Sequence, residues 1–129
     1  MNEKVTIYEA IGGMGQIEAL TARFYELMDT QADAQAVRAI HPQDLTESRN
    51  KLTEYLAMWT GGPQTFIERR GAPMLRARHL PFAIGSAEID GWLACFRQAL
   101  DETIADGMVR EVIWSNIERL GHHMRNREG

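Results

Sequence analysis

Residues 73–82 read Pro73-Met74-Leu75-Arg76-Ala77-Arg78-His79-Leu80-Pro81-Phe82, and the reading of this stretch governs the rest. His79 is one of four histidines in 129 residues. It closes a short helical run that Pro81 stops, because proline lacks the N–H that would continue the ladder. Gly61-Gly62-Pro63 breaks the chain before it, and Trp92 follows it. An imidazole on a short helix, with apolar side chains about it and arginines beside it, can supply one axial bond to a haem iron. The opposite face of the iron then stays open for a small ligand.

Outward from this stretch, only helical periods occur. Tyr8 to Ile11 closes a first short helix, stopped by Gly12-Gly13. From about Met14 to Met28, apolar residues fall at Ile17, Leu20, Phe24, Leu27 and Met28, steps of three and four that mark one buried face. Asp29 to Asp33 reads as a polar turn. A short helix then carries Val37 and Ile40, and Pro42 ends it, since the residue before proline is pushed out of the helical region. Asp44 can cap a helix bearing Leu45, Leu52, Tyr55, Leu56 and Trp59.

After the Gly-Gly-Pro break the pattern predicts a loop of about ten residues. Ser86 is the expected cap of a long helix with Ile89, Trp92, Leu93, Phe96, Leu100 and Ile104 on its apolar steps. Gly107 interrupts. The last helix uses Val109, Val112, Ile113, Ile117 and Leu120, with Gly121 as its expected C-terminal cap. No strand pattern and no internal repeat emerge. The expected fold class is all-α, with four principal helices and short extra turns.

Composition limits the function. A chain of 129 residues is expected to be a single domain over 1–129 with one core of ordinary size. Apolar residues at 44% and charged ones at 25% are those of a water-soluble globule. The net charge of −4, with both signs dispersed, gives no basic stripe for nucleic acid. No apolar run approaches the roughly 20 residues that span a bilayer, so no membrane partner is expected. The N-terminus lacks a signal-peptide pattern, which makes a cytoplasmic setting the expectation. The lone cysteine, Cys95, precludes an internal disulfide and a Cys-x-x-Cys-His attachment site, so a haem would be held without covalent links.

Several runs taken in order carry a family resemblance: Tyr8-Glu-Ala-Ile-Gly-Gly13, Phe24-Tyr25, His41-Pro42-x-Asp44-Leu45, Gly61-Gly-Pro63, Arg69-x-Gly71-x-Pro73-x-Leu75-Arg76-x-Arg78-His79-x-Pro81-Phe82 and Trp92-Leu-x-Cys95. Each is weak alone. Together, spread from about residue 7 to residue 120, they resemble the truncated haemoglobins of group II. The resemblance implies a truncated globin, a two-over-two helical sandwich around haem b (iron protoporphyrin IX). The second and fourth helices would form the distal side, and the glycine pairs would let a shortened chain wrap a flat cofactor.

His79 matches the family's proximal histidine and metal ligand. A histidine that merely caps a helix end is the commoner case in proteins at large, but here the surrounding match outweighs it. Adjacent His122 and His123 cannot both face one metal from one helix side. Tyr25 matches the distal tyrosine, whose phenol can donate to a bound O2; its other reading is a core tyrosine beside Phe24. Trp92 matches the distal tryptophan, donor only at its indole N–H, and equally fits the apolar stripe with Ile89 and Phe96.

His41 departs from the aromatic residue usual at its position and brings a group that titrates near pH 6.5. Its alternative is an exposed turn, with Ile40 in the pocket instead. Ser48 and Leu52 match two distal positions one turn apart, and Phe82 is expected to line the haem. Phe66 stands where tyrosine is frequent, and Ala72 where histidine is common. Lys51, Arg76 and Arg78 could pair with the propionates or form a solvated basic face.

The resemblance therefore implies a histidine-ligated iron that binds O2 and other diatomic ligands under Tyr25, Trp92 and His41. Such a donor set suits slow O2 release and redox chemistry with NO or peroxide. The enzymatic form would be peroxidase or NO-dioxygenase-type activity, with an unidentified separate reductase. Homodimers are common in the group. The competing class is a globin-like redox sensor or partner-binding helical module without turnover.

Overall fold

A computed structural model describes residues 5–128. Eight α-helices follow one another among these residues, without a strand: α1 (Ile7–Ile11), α2 (Met14–Thr30), α3 (Gln35–Ala39), α4 (Thr46–Trp59), α5 (Thr65–Arg70), α6 (Leu75–His79), α7 (Ser86–Thr103) and α8 (Gly107–His123). A 3-10 turn, Ala32–Ala34, leads into α3. The all-α reading holds, and the four long helices are α2, α4, α7 and α8.

These four make two layers. α2 packs on α4 and, most extensively, on α7, while α7 packs on α8. The stripe read from the sequence is the face α2 buries: Ile17, Leu20, Phe24, Leu27 and Met28 are each 1% exposed or less. It meets Phe96 and Leu100 of α7 and, beyond them, Ile113 and Ile117 of α8. Thr21 is the polar exception on this face. Its hydroxyl pairs with that of Thr53 at 2.7 Å, so α2 and α4 are joined by a satisfied bond rather than an orphaned group.

Asp44 accepts from the Thr46 N–H at the start of α4, but it stands one residue before the N-cap, which is Leu45. Four other local expectations need correction. The loop after Pro63 contains α5, too short to show periodicity. It is held by Phe66, buried edge-on to Tyr55, and by Arg70 and Arg69 on Glu54. Ser86 is the first helical residue of α7, not its cap. The Glu88 carboxylate takes the Gly85 N–H at 2.7 Å, and the Ser86 hydroxyl accepts from Arg125. Gly107 opens α8 behind a true Asp106 cap, whose carboxylate accepts from the Met108 and Val109 amides. Gly121 lies inside α8. A Cβ there would meet Leu93 Cδ2 at 2.9 Å, so the glycine serves close approach of α7 rather than helix termination.

The Gly61-Gly62 break has a similar cause. Gly61 has φ +102°, a left-handed conformation that glycine adopts without penalty. A Cβ on Gly62 would lie 2.5 Å from the Tyr8 ring. The pair lets α1 lie against the end of α4, where the Tyr8 N–H donates to the Thr60 carbonyl.

Candidate haem site

The short helix α6 carries His79 at its end and has no buried residue. No other helix packs broadly on it. Around it, Met74, Leu80 and Phe82 are 67%, 48% and 42% exposed, a concentration of bare apolar surface about one imidazole. The His79 Nδ1 lies 2.6 Å from the Leu75 carbonyl. A carbonyl only accepts, so Nδ1 carries the proton and Nε2 keeps its lone pair. An imidazole fixed in this tautomer, amid uncovered apolar side chains, fits an axial ligand whose cofactor would supply the missing packing.

The turn into α6 is strained. Met74 has φ +38°, the one non-glycine with positive φ among the described residues. A left-handed residue costs on the order of 1 kcal/mol. Arg78 holds this turn in place: its Nε donates to the Pro73 carbonyl and its Nη2 to the Arg70 and Ala72 carbonyls, at 2.7–2.9 Å. Its guanidinium also lies 5.4 Å over the Phe66 ring. Backbone carbonyls thus engage its Nε and Nη2, while its Nη1 has no hydrogen-bond partner among the described residues. Arg76 reaches the Arg125 carbonyl at 3.3 Å. Lys51 is exposed on α4 and makes no ion pair among the described residues.

On the other side, Tyr25 and Phe24 are both buried, edge to face at 4.8 Å. Adjacent helical positions point apart, yet the core accepts both because Phe24 enters it and Tyr25 lines its edge. Trp92 is half-buried, stacked on Phe96 and edge-on to Phe24, each at 5.5 Å. Its ring is core, and its N–H has no hydrogen-bond partner among the described residues.

His41 lies with its ring 6.0 Å from that of Tyr25, while Ile40 packs at the core edge. Its Nδ1 donates to the Val37 carbonyl at 2.8 Å, which again leaves Nε2 as the free nitrogen. Arg38 secures the turn that presents it, with donors on Asp29 and on the Pro42 and Gln43 carbonyls. Ser48 and Leu52, both half-buried on α4, complete this side; the Ser48 carbonyl accepts from the Tyr25 hydroxyl at 3.3 Å.

Burial sets the electrostatics. It pushes the Tyr25 phenol well above its usual range, so Tyr25 stays a neutral donor. It also holds the His41 imidazole below its ordinary value; the bond to Val37 opposes this, while the charge of Arg38 adds to it. A cavity of about 190 Å³ between α2 and α4, lined by residues such as Glu18, Asn50 and Glu54, holds neither an imidazole nor a phenol and is not this site.

The family model described as "Bacterial-like globin" matches residues 6–126, nearly the whole chain. The chain belongs to the bacterial-like globins, as a truncated haemoglobin of group II. A Bacillus subtilis (strain 168) protein, "Group 2 truncated hemoglobin YjbI", is 40% identical over 119 residues, covering 92% of this chain and 87% of that one. The group II 2-on-2 hemoglobin from Agrobacterium tumefaciens superposes with a TM-score of 0.96 at 53% identity, over 99% and 98% of the two chains. The truncated oxygen-avid haemoglobin from Bacillus subtilis gives 0.87 at 38%, over 95% and 100%. Membership in this family makes the protein a haem- and gas-binding globin with the two-on-two fold. No helix among the described residues is long and apolar enough to cross a membrane.

One residue escaped the sequence reading. Asn126 bonds the segment after His79 from 42 to 47 positions away, and no local pattern marks it.

Proposed function

We propose that this globin holds haem b through His79 and binds O2 and other diatomic ligands on the opposite side, between Tyr25, Trp92 and His41. Bound haem would supply the iron that takes up the gas and changes oxidation state. The chain's own residues set how long the ligand stays and what reaches it. Leu52, Ser48 and Phe82 are read as apolar or small lining, and Lys51 and Arg76 as the cations nearest in character to a propionate partner.

The observation that carries the reading is the pairing of the buried Tyr25 phenol with His41, whose rings lie 6.0 Å apart. The Tyr25 hydroxyl holds the Ser48 carbonyl at 3.3 Å, the long end of the hydrogen-bond range, so turning it toward a ligand forfeits little. His41, with Nε2 free, can accept when neutral and donate when protonated. Trp92 adds a second donor. Three polar groups around one ligand exceed what simple storage requires and suit slow O2 release, with NO or peroxide turnover as the enzymatic extension. The oxygen-avid character stated for the Bacillus subtilis neighbour is in keeping with this. A separate reductase and a cytoplasmic setting belong to the same reading; the buried, unpaired Cys95 suits a reducing compartment.

Absorption spectra of the ferric, ferrous, CO- and O2-exposed protein test it. The expected result is an intense Soret band, a five-coordinate ferrous state and a long-lived O2 adduct. Absence of a Soret band after adding haem would refute it.

A further inference from the structure

We propose that Asn126 is a positioning residue for His79, fixing the proximal segment against the rigid end of α8. The inference rests on the haem reading above. The Asn126 side chain uses every group it has on residues 79–84. Its Nδ2 donates to the Phe82 carbonyl at 2.9 Å and to the His79 carbonyl at 3.3 Å, and its Oδ1 accepts from the Ile84 N–H at 2.9 Å. The backbone amides of Asn126 and Arg127 both donate to the Ile84 carbonyl, at 2.9 and 3.0 Å.

These bonds matter because α6 has no other broad support. Residue 126 lies two residues beyond Met124, the C-cap of α8, and Ile113 and Ile117 anchor that helix in the core. The mechanical path thus runs from the core through α8 and Asn126 to the His79 peptide. The bond from Nδ1 to the Leu75 carbonyl fixes the rotation of the ring, while Asn126 fixes the height of the peptide that carries it. Together they set where Nε2 sits, and hence the strain on any bond that Nε2 makes to a metal.

The experiment compares the holoprotein with Asn126→Asp, Asn126→Ala and Arg125→Ala. Asn126→Asp keeps an acceptor for the Ile84 N–H but faces two carbonyl oxygens with a carboxylate oxygen. Arg125→Ala removes the 2.6 Å bond to the Ser86 hydroxyl and spares the His79 carbonyl. The readouts are the iron–histidine stretching band of the ferrous protein by resonance Raman, the rate of haem loss to an apoglobin scavenger, and the melting temperature. Both Asn126 variants are expected to shift and broaden the band and to speed haem loss about tenfold, as loss of two modest hydrogen bonds implies. Arg125→Ala is expected to leave the band in place.

A wild-type band in Asn126→Asp alongside a lowered melting temperature would make Asn126 merely structural and overturn the proposal. So would an equal shift in Arg125→Ala. If the wild-type protein takes up no haem, the functional reading falls and the positioning role falls with it; an unmoved band beside a normal Soret absorption overturns the positioning role alone.

Discussion

Tyr25→Phe should accelerate O2 dissociation by roughly five- to seventyfold. The phenol is 8% exposed and held neutral by burial, so it can only donate or accept a hydrogen bond, never repel a ligand as an anion. A hydrogen bond to a partly charged acceptor contributes about 1.5–3 kcal/mol. From this comes off the 3.3 Å bond to the Ser48 carbonyl that Tyr25 gives up, at the weak end of neutral hydrogen bonds, about 0.5 kcal/mol. The net is about 1–2.5 kcal/mol, and with RT near 0.59 kcal/mol this gives the stated range. The phenylalanine ring keeps the contact with Phe24, so the fold should survive. Stopped-flow mixing of the O2 adduct with a scavenger measures the rate. CO serves as the control, because it carries little charge and its dissociation should barely change. O2 release no faster in Tyr25→Phe than in wild type would refute the argument, and an equal change for CO would reassign it to pocket size.

Gly91→Ala should lower stability by about 1–3 kcal/mol despite alanine's better helix propensity, because the new Cβ would lie 2.8 Å from the Asp33 carbonyl oxygen and 3.3 Å from Ala34 Cα, backbone that cannot rotate away; Gly15→Ala, with nothing within 4 Å, should be neutral or mildly stabilising, and chemical denaturation of both variants checks the contrast. His41 is held below its ordinary value in the folded chain, chiefly by burial. Between that lowered value and about 6.5 the unfolded chain binds a proton that the folded chain refuses. The stability His41 contributes is therefore complete above about pH 6.5 and is lost as pH falls through the folded value. Melting temperatures from pH 7.5 to 5 should fall less steeply in His41→Phe than in wild type, and parallel curves would contradict this.

The sequence by itself determined the helical class, because helical periodicity is local, and it offered His79, Tyr25 and Trp92 as candidate site residues. Apolar residues at steps of three and four can bury a face in only one secondary structure, and the stripe from Ile17 to Met28 is the one α2 buries. Gly61-Gly62-Pro63 and Pro81 punctuate the chain whatever surrounds them. His79, Tyr25 and Trp92 stood out through ordered spacings across the chain.

Tertiary structure decided what each of these groups touches. α5 could not be read, since six residues are too few to show a period and Phe66 and Glu54 hold it from afar. Gly121 looked like a helix stop because its real constraint is Leu93 of another helix. That Arg78 braces the turn before α6, through the carbonyls of Arg70, Ala72 and Pro73, is likewise set by the packing. Whether His41 or Ile40 turned toward Tyr25 depended on how Arg38 ties down the turn before α4. Asn126 shows the limit most plainly. An asparagine near a helix end is unremarkable in one dimension. Only the packing of α8 brings its amide to the carbonyls of His79 and Phe82, because a contact across more than forty residues is set by how helices pack and not by any pattern along the chain.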